Sequence, residues 1–436
     1  MINKAKIDNI NVYHIPHTSK LVTFGIATIN GSNFENKENA GISHFAEHMF
    51  FKGTPTRTWK DINYEFARNG ASNNAFTCNT EVFYYASCPI YNVNNIVNLM
   101  MDMFFNSLYP KDELEKERNV IIEEKKSYVD DPNSYFAESI GENLLCWQLG
   151  HPTIGEFETI NKISQESLLK YLCDTINYNN LAFVCCGDIN FDSLCSCIRD
   201  NLPKNGHPFL KFGNKNEVGP VFWKDGVKKE NNIGLRLSKE GAQQAHVGKV
   251  FKGISLLDSR FAQISVVLRA VGGGSYSMLY ERIREELGLC YSIYLTHFTL
   301  AFPNSIAYHI GGETSTENVD LFIEESEKII KEVAKNGISS NLFECSKNSL
   351  LSALLSASET TMGTMSFMLE KMLFDNFVTM DEKIEAIKNV SLEDCNKISE
   401  EIFSSDGVWA VMTEKTDQTD ETNIETTTEK DVKINE

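Results

Sequence analysis

The chain has 436 residues, long enough for two or three domains, and 42% are hydrophobic, enough to fill large cores. A net charge of −19 argues against nucleic acid and anionic membrane as partners. No run of about eighteen apolar residues appears, so no membrane-spanning helix is expected. The N-terminus MINKAKIDNINVYHIPHTSK carries neither a signal nor a transit peptide pattern. Eleven cysteines are scattered from Cys78 to Cys395 without a C-x-x-C pair, which points to small buried apolar residues in a reducing, cytoplasmic setting.

In chain order, Asn9–Ile15 alternates as a strand, and Leu21–Ile29 is a second strand ending at the Asn30-Gly31 turn signal. Gly41–Thr54 contains a helix whose apolar face is Ile42, Phe45, Ala46 and Met49, stopped by Gly53 and Pro55. Thr58–Asn69 predicts another helix. Ala71–Cys88 predicts two strands joined near Asn79-Thr80. Helices are expected over Val93–Phe105, Lys111–Val129, Ser134–Gln148 and Gln165–Thr175, then a strand at Leu181–Cys186 and a helix at Phe191–Asn201. A Gly-, Pro-, Lys- and Asn-rich linker is expected over 206–235. After it the order repeats: a strand-like run at Gln244–Ser255, a helix at Leu279–Leu287, a strand at Cys290–Thr296, long helices from Asn318 to Phe403, and a closing strand at Val408–Met412. Two halves of similar order predict a duplicated α+β domain, with domains at 1–205 and 236–413. The end, Glu414–Glu436, has eight acids and three lysines and almost nothing apolar, the composition of a disordered acidic tail.

The helix at Gly41–Thr54 carries His44, Glu47 and His48 as H-x-x-E-H. Residues three and four apart stand on one helical face, so His44 and His48 can bind one metal ion with Glu47 beside them. Two imidazoles and one carboxylate from elsewhere leave a coordination position for water, and a free carboxylate can take its proton. The segment ELEKERNVIIEEKKSYVDDP offers Glu113, Glu115, Glu117, Glu123 and Glu124 as the third ligand, and spacing leaves all five open. Glu117 and Glu124 are seven apart and share a face with Val120 and Ile121.

H-x-x-E-H followed by E-R-N-V-x-x-E-E, whose last glutamate falls 76 positions after His48, resembles the pitrilysin-type inverted zincins. The likeness covers about residues 1–413 and is strongest to short members similar to the catalytic subunit of mitochondrial processing peptidase and its bacterial relatives. It implies two similar domains, each a mainly antiparallel, mixed sheet packed against helices, forming one half of a clamshell. It implies one Zn2+ per chain held by His44, His48 and Glu124, with Glu47 as general base and Glu117 supporting the site from behind. GASNNAFTCNTEVFYY resembles the family's active-site edge strand, so Asn74 and Ala75 would hold the substrate backbone. GGGSYSMLYERIREELGLCYSIY resembles a later motif in which Arg284 and Tyr291 reach substrate near the scissile bond, Tyr291 helping to stabilise the oxyanion. Long relatives carry the zinc and Arg/Tyr motifs on opposite halves, so a half-length chain would bring them together as a homodimer. The implied function is zinc-dependent cleavage of peptides or unfolded protein segments in an enclosed chamber. The rival is a non-catalytic peptide-binding or scaffold subunit; such members have usually lost metal residues. The remaining histidines, His14, His17, His151, His207, His246, His297 and His309, read as structural or exposed.

Overall fold

The structure, a computed structural model, describes residues 2–203, 211–218, 222–224, 227, 233–374, 378–404 and 407–415. The first half contains β1 (Asn3–Ile7), β2 (Ile10–Ile15), β3 (Leu21–Thr28), a small hairpin of β4 (Gly53–Thr54) and β5 (Arg57–Thr58), then β6 (Ser72–Thr77), β7 (Val82–Pro89) and β8 (Leu181–Cys186). Apart from the small hairpin these form one sheet in the order β1-β2-β8-β3-β7-β6, with β2 and β8 parallel and the other pairs antiparallel. The second half contains β9 (Ile233–Lys239), β10 (Ala245–Lys252), β11 (Cys290–Ala301), β12 (Ser305–Thr314) and β13 (Gly407–Glu414), in the order β11-β12-β10-β13-β9 with β13 and β9 parallel. Without β1 the two orders are the same, β6-β7-β3-β8-β2 against β11-β12-β10-β13-β9. The fold is therefore α+β with two similar sheet-and-helix domains, as the sequence predicts.

The helices of the first half are α1 (Ile42–Met49), α2 (Trp59–Arg68), α3 (Val93–Asn106), α4 (Lys111–Asp130), α5 (Pro132–Leu144), α6 (Trp147–Gly150), α7 (Phe157–Lys162), α8 (Gln165–Thr175) and α9 (Phe191–Asn201). Those of the second are α10 (Phe261–Gly272), α11 (Val319–Asn336), α12 (Ser340–Ser358), α13 (Thr361–Leu373), α14 (Met380–Lys388) and α15 (Leu392–Phe403). No helix among the described residues is long and apolar enough to cross a membrane. Local chemistry sets many of the ends. Thr58 and Asp61 form a reciprocal capping box on α2, and Asp131 caps α5 with Pro132 in its first turn.

β3, LVTFGIAT, is buried at every position but its first. One face of its sheet packs on α1, α3, α8 and α9; the other is covered by Met365, Met368, Leu369 and Met372 of α13, which comes from the second half. A strand covered on both faces reads as a continuous apolar run. The exchange is mutual. The face of the second sheet turned away from its own helices packs on Phe136, Ile140 and Leu144 of α5 and on Leu149 of α6, which come from the first half. Asn33 Nδ2 donates to Leu300 O at 2.6 Å and Thr23 Oγ1 bonds Thr361 Oγ1 at 2.7 Å, so the two halves are also stitched at polar positions.

Several elements differ from the sequence reading. β1 pairs with β2 through a tight turn at Asp8 and Asn9, both with positive φ (45° and 71°), and its polar strand NKAKI gives little apolar signal. The helix expected at Leu279–Leu287 is a π-helical turn, Tyr280–Glu286. The helix expected over Ser134–Gln148 breaks at Leu145, whose backbone is extended, into α5 and α6. α10 and β12 were not foreseen, and the strand expected at Cys290–Thr296 runs on to Ala301. Half of the expected linker and the tail beyond residue 415 lie outside the described residues, and β9 begins within the expected linker, at Ile233.

Candidate metal centre

α1 begins at Gly41, whose φ of 90° is left-handed and whose missing Cβ would lie 2.5 Å from Ile154 O. The buried Glu35 carboxylate satisfies the start of the helix, accepting from Gly41 N (2.7 Å) and Ser43 N (2.8 Å). His151 Nε2 lies 3.1 Å from Glu35 Oε2, and its Nδ1–H goes to Trp147 O at 2.9 Å. Burial raises the pKa of Glu35, against the opposing pull of His151 and the two backbone N–H groups.

His44 and His48 stand one turn apart on α1 with ring centroids 4.6 Å apart. α4 crosses beside them. It is held there by the buried Arg118, which donates to Ile163 O at 2.6 Å, and by Lys125, whose Nζ meets Glu138 Oε2 of α5 at 2.9 Å. The crossing places Glu124 Oε2 3.4 Å from His48 Nε2 and 3.8 Å from His44 Nε2. One ligand atom from each of the three lies within 4.8 Å of the others, the grouping expected of a metal site. Behind it, Glu117 Oε2 is 3.1 Å from His48 Nδ1, and Lys52 Nζ pairs with Glu117 Oε1. An Nδ1–H held by a carboxylate leaves Nε2 as the lone-pair donor. Glu47 is buried, and Thr77 Oγ1 of β6 donates to its Oε2 at 2.7 Å.

The electrostatics ask for a cation. Burial pushes the His44 imidazole down to about 4, with His48 adding to the effect. At His48 burial acts the same way, but Glu117 and Glu124 reverse it and the ring rises to about 9. The hydrogen bond to His48 holds the Glu124 carboxyl below its usual range. Burial raises that of Glu47. Two carboxylates thus hold on His48 a proton that burial would otherwise strip, and a divalent ion fits the same demand. Two nitrogens and one carboxylate oxygen are a donor set suited to zinc.

The cluster opens into a cavity of about 1030 Å³ between the two halves. β6 runs along it as an edge strand, paired only with β7 among the described residues, and Asn74 and Ala75 line it. Asn74 Oδ1 accepts from Ala75 N at 2.9 Å. Arg284 and Tyr291 lie elsewhere. Arg284 Nε donates to Tyr291 O at 2.8 Å, and its guanidinium stacks over the rings of Tyr280 and Tyr291 at 4.7 and 5.6 Å. Tyr291 is 83% exposed, and neither residue is among those lining the cavity. The structure therefore brings His44, Glu47, His48, Asn74, Ala75, Glu117 and Glu124 together and leaves Arg284 and Tyr291 as a separate surface pair. Glu35, Lys52, Thr77 and the placement of His151 were missed in the sequence. Only Lys52 carries a signal, one turn beyond His48.

The two sheet-and-helix domains have the clamshell fold of M16 peptidases. Residues 12–155 match the insulinase family of peptidases, family M16, and residues 162–350 match the peptidase M16 inactive domain. The uncharacterized zinc protease YmxG of Bacillus subtilis (strain 168) is 30% identical over 398 residues, 91% of this chain and 93% of that one. The chain belongs to peptidase family M16. A protease from Helicobacter pylori has the same fold, with a TM-score of 0.84 at 15% identity over 95% of this chain and 99% of that chain. The periplasmic protease PqqL from Escherichia coli superposes with a TM-score of 0.75 at 20% identity, over 95% of this chain but 48% of that one.

Proposed function

We propose that the chain is a zinc-dependent endopeptidase that cleaves peptides or extended protein segments inside a chamber. The observation that carries this reading is the convergence of His44, His48 and Glu124 beside Glu47, on a cavity edged by an open strand. His44, His48 and Glu124 would hold the metal, and Glu117 would orient His48. Zinc in such a site supplies Lewis acidity, which polarises a carbonyl and makes water a better nucleophile at neutral pH. Thr77 occupies Glu47 Oε2, so Oε1 is the atom that takes the proton of the attacking water and returns it to the leaving amine. The free edge of β6 at Asn74 and Ala75 holds the substrate backbone by strand addition, which makes recognition largely independent of sequence.

Arg284 and Tyr291 serve the site of a second copy. The exposure of Tyr291 supports this, as does the match of 95% of this chain to only 48% of the length of PqqL, which leaves room there for a second half. The partner is then an identical chain in a homodimer.

The test is hydrolysis of a peptide library by the purified chain, with and without a chelator and after zinc is restored. Glu47→Gln should keep one zinc per chain and lose about 100- to 10,000-fold in hydrolysis. Hydrolysis that resists chelation, or survives in Glu47→Gln, would falsify the assignment. A chain that binds peptide but shows no hydrolysis with zinc restored would instead be a binding subunit.

A further inference from the structure

Addition of water to a peptide carbonyl puts negative charge on the carbonyl oxygen, and a hydrogen-bond donor aimed at that oxygen lowers the barrier. No lysine or arginine stands among the described residues that line the cavity, and Tyr291 is not there either. The donors that this chain itself offers are therefore neutral groups. Some are already engaged. Thr77 Oγ1 donates to Glu47 Oε2 at 2.7 Å, and His151 sets its two ring nitrogens against Trp147 O and Glu35.

Two phenols line the cavity, Tyr128 of α4 and Tyr294 of β11, and they face different groups. Burial raises the pKa of Tyr128, and Glu124 and Glu138, both on the cavity wall, add to it. At Tyr294 burial acts with Glu313, which is not a lining residue. Glu124 and Tyr128 are the two residues through which α4 lines the cavity. Four apart, they share a helical face, with Cβ atoms about 5–6 Å from each other. Side chains of a helix lean towards its N-terminus, so the ring of Tyr128 reaches back over the turn that carries Glu124. That direction is towards the metal cluster. Tyr128 is 40% exposed, and its hydroxyl has no hydrogen-bond partner among the described residues. The O–H is thus present at neutral pH and uncommitted.

We propose that Tyr128 is a catalytic residue of this chain's own site, its hydroxyl donating a hydrogen bond to the carbonyl oxygen of the peptide bond under attack. The bond strengthens as charge develops on that oxygen, so it favours the transition state over the bound substrate. The phenol keeps its proton. The proton that moves goes through Glu47, from water to the leaving amine. This rests on the peptidase reading above and adds to it a donor that needs no second copy.

The test uses the full zinc-loaded chain with Tyr128→Phe, which keeps the ring and removes the hydroxyl. Its kcat should fall about ten- to hundredfold while KM stays within about twofold of the parent. Metal analysis should find parental zinc content, and Tyr294→Phe should keep the parental kcat. A second arm needs no turnover. Calorimetry compares a phosphinic peptide, whose charged tetrahedral phosphinate imitates the transition state, with the corresponding substrate peptide bound in the Glu47→Gln background. Tyr128→Phe should weaken the phosphinic peptide about tenfold or more and leave the substrate peptide within about twofold. A rise in KM alone, a loss of zinc, or equal weakening of both ligands would give the hydroxyl a binding or structural role and overturn the assignment. Chelator-sensitive hydrolysis with an unchanged kcat in Tyr128→Phe overturns it as well and leaves the peptidase reading standing. A parent chain that shows no hydrolysis with zinc restored overturns both.

Discussion

Glu123 and Glu124 are neighbours on α4, yet their side chains point about 100° apart. Glu124 reaches the two imidazoles of α1, whereas Glu123 is 72% exposed and pairs with Lys126. Glu124→Gln should therefore lower zinc occupancy while Glu123→Gln leaves it at the parental level, as read by metal analysis of the purified variants. Equal zinc in parent and Glu124→Gln would move the ligand elsewhere. Glu117, one heptad back, touches His48 Nδ1 instead of the cavity. Its loss should weaken zinc affinity about ten- to hundredfold without removing the site. A chelator competition titration reads the difference, and an unchanged affinity would deny Glu117 that role.

At the scale of elements, the metal helix is fixed from its N-terminal end. Glu35 binds two backbone N–H groups there and faces His151, all of them buried. Glu35→Ala leaves those groups without a partner, and the expected loss is about 3–5 kcal/mol in urea unfolding. A loss under about 1 kcal/mol would show that the helix start is satisfied some other way. α5 carries a different feature. Burial lifts the Glu142 carboxyl to about 7, hydrogen bonding to Glu156 and the charge of Glu138 add to this, and Lys125 opposes it. Its folded pKa lies above its ordinary value of 4.5, so the native state holds the extra proton. The stability this contributes is complete below about pH 4.5 and is lost as the pH rises through about 7. Glu142→Gln removes that dependence. Its melting temperature should gain on the parent steadily between about pH 5 and about pH 8, and a constant offset across that range would contradict the sign.

For the whole molecule, the exchange of α5 and α13 makes the two domains one body, and the Arg284/Tyr291 pair then sits on its surface away from the metal cluster. Mixing two inactive variants tests whether that pair works across a dimer. One chain carries His48→Ala and the other Arg284→Ala. A mixed dimer working in trans has one site with both parts intact, so an equal mixture that exchanges freely should regain about a quarter of parental activity. If the pair acts within its own chain, every site keeps one defect and the mixture stays inactive. Light scattering that shows only monomer at the assay concentration would remove the dimer itself.

The sequence by itself determined the local features. H-x-x-E-H puts two imidazoles and a carboxylate on one turn, β3 and β8 show as apolar runs, and capping residues mark the start of α2. Each is written within a few residues of itself, because helical and strand periodicity and caps act over one or two turns. The repeated order of elements made the duplicated α+β fold legible as well. Tertiary structure decided what depends on segments far apart in the chain. Five glutamates of α4 were equivalent by spacing, and only the packing of α4 across α1 brings Glu124 to 3.4 Å from His48. Glu35 and His151 are 116 residues apart, and nothing near either announces the other. α5 and α13 look like ordinary amphipathic helices, and the sheet each covers belongs to the other half. His309 packs against Gly248 of another strand, and nothing near either residue in the sequence announces that contact. Side-chain periodicity records which face of an element is buried, but the partner on that face is chosen by the packing of the whole chain.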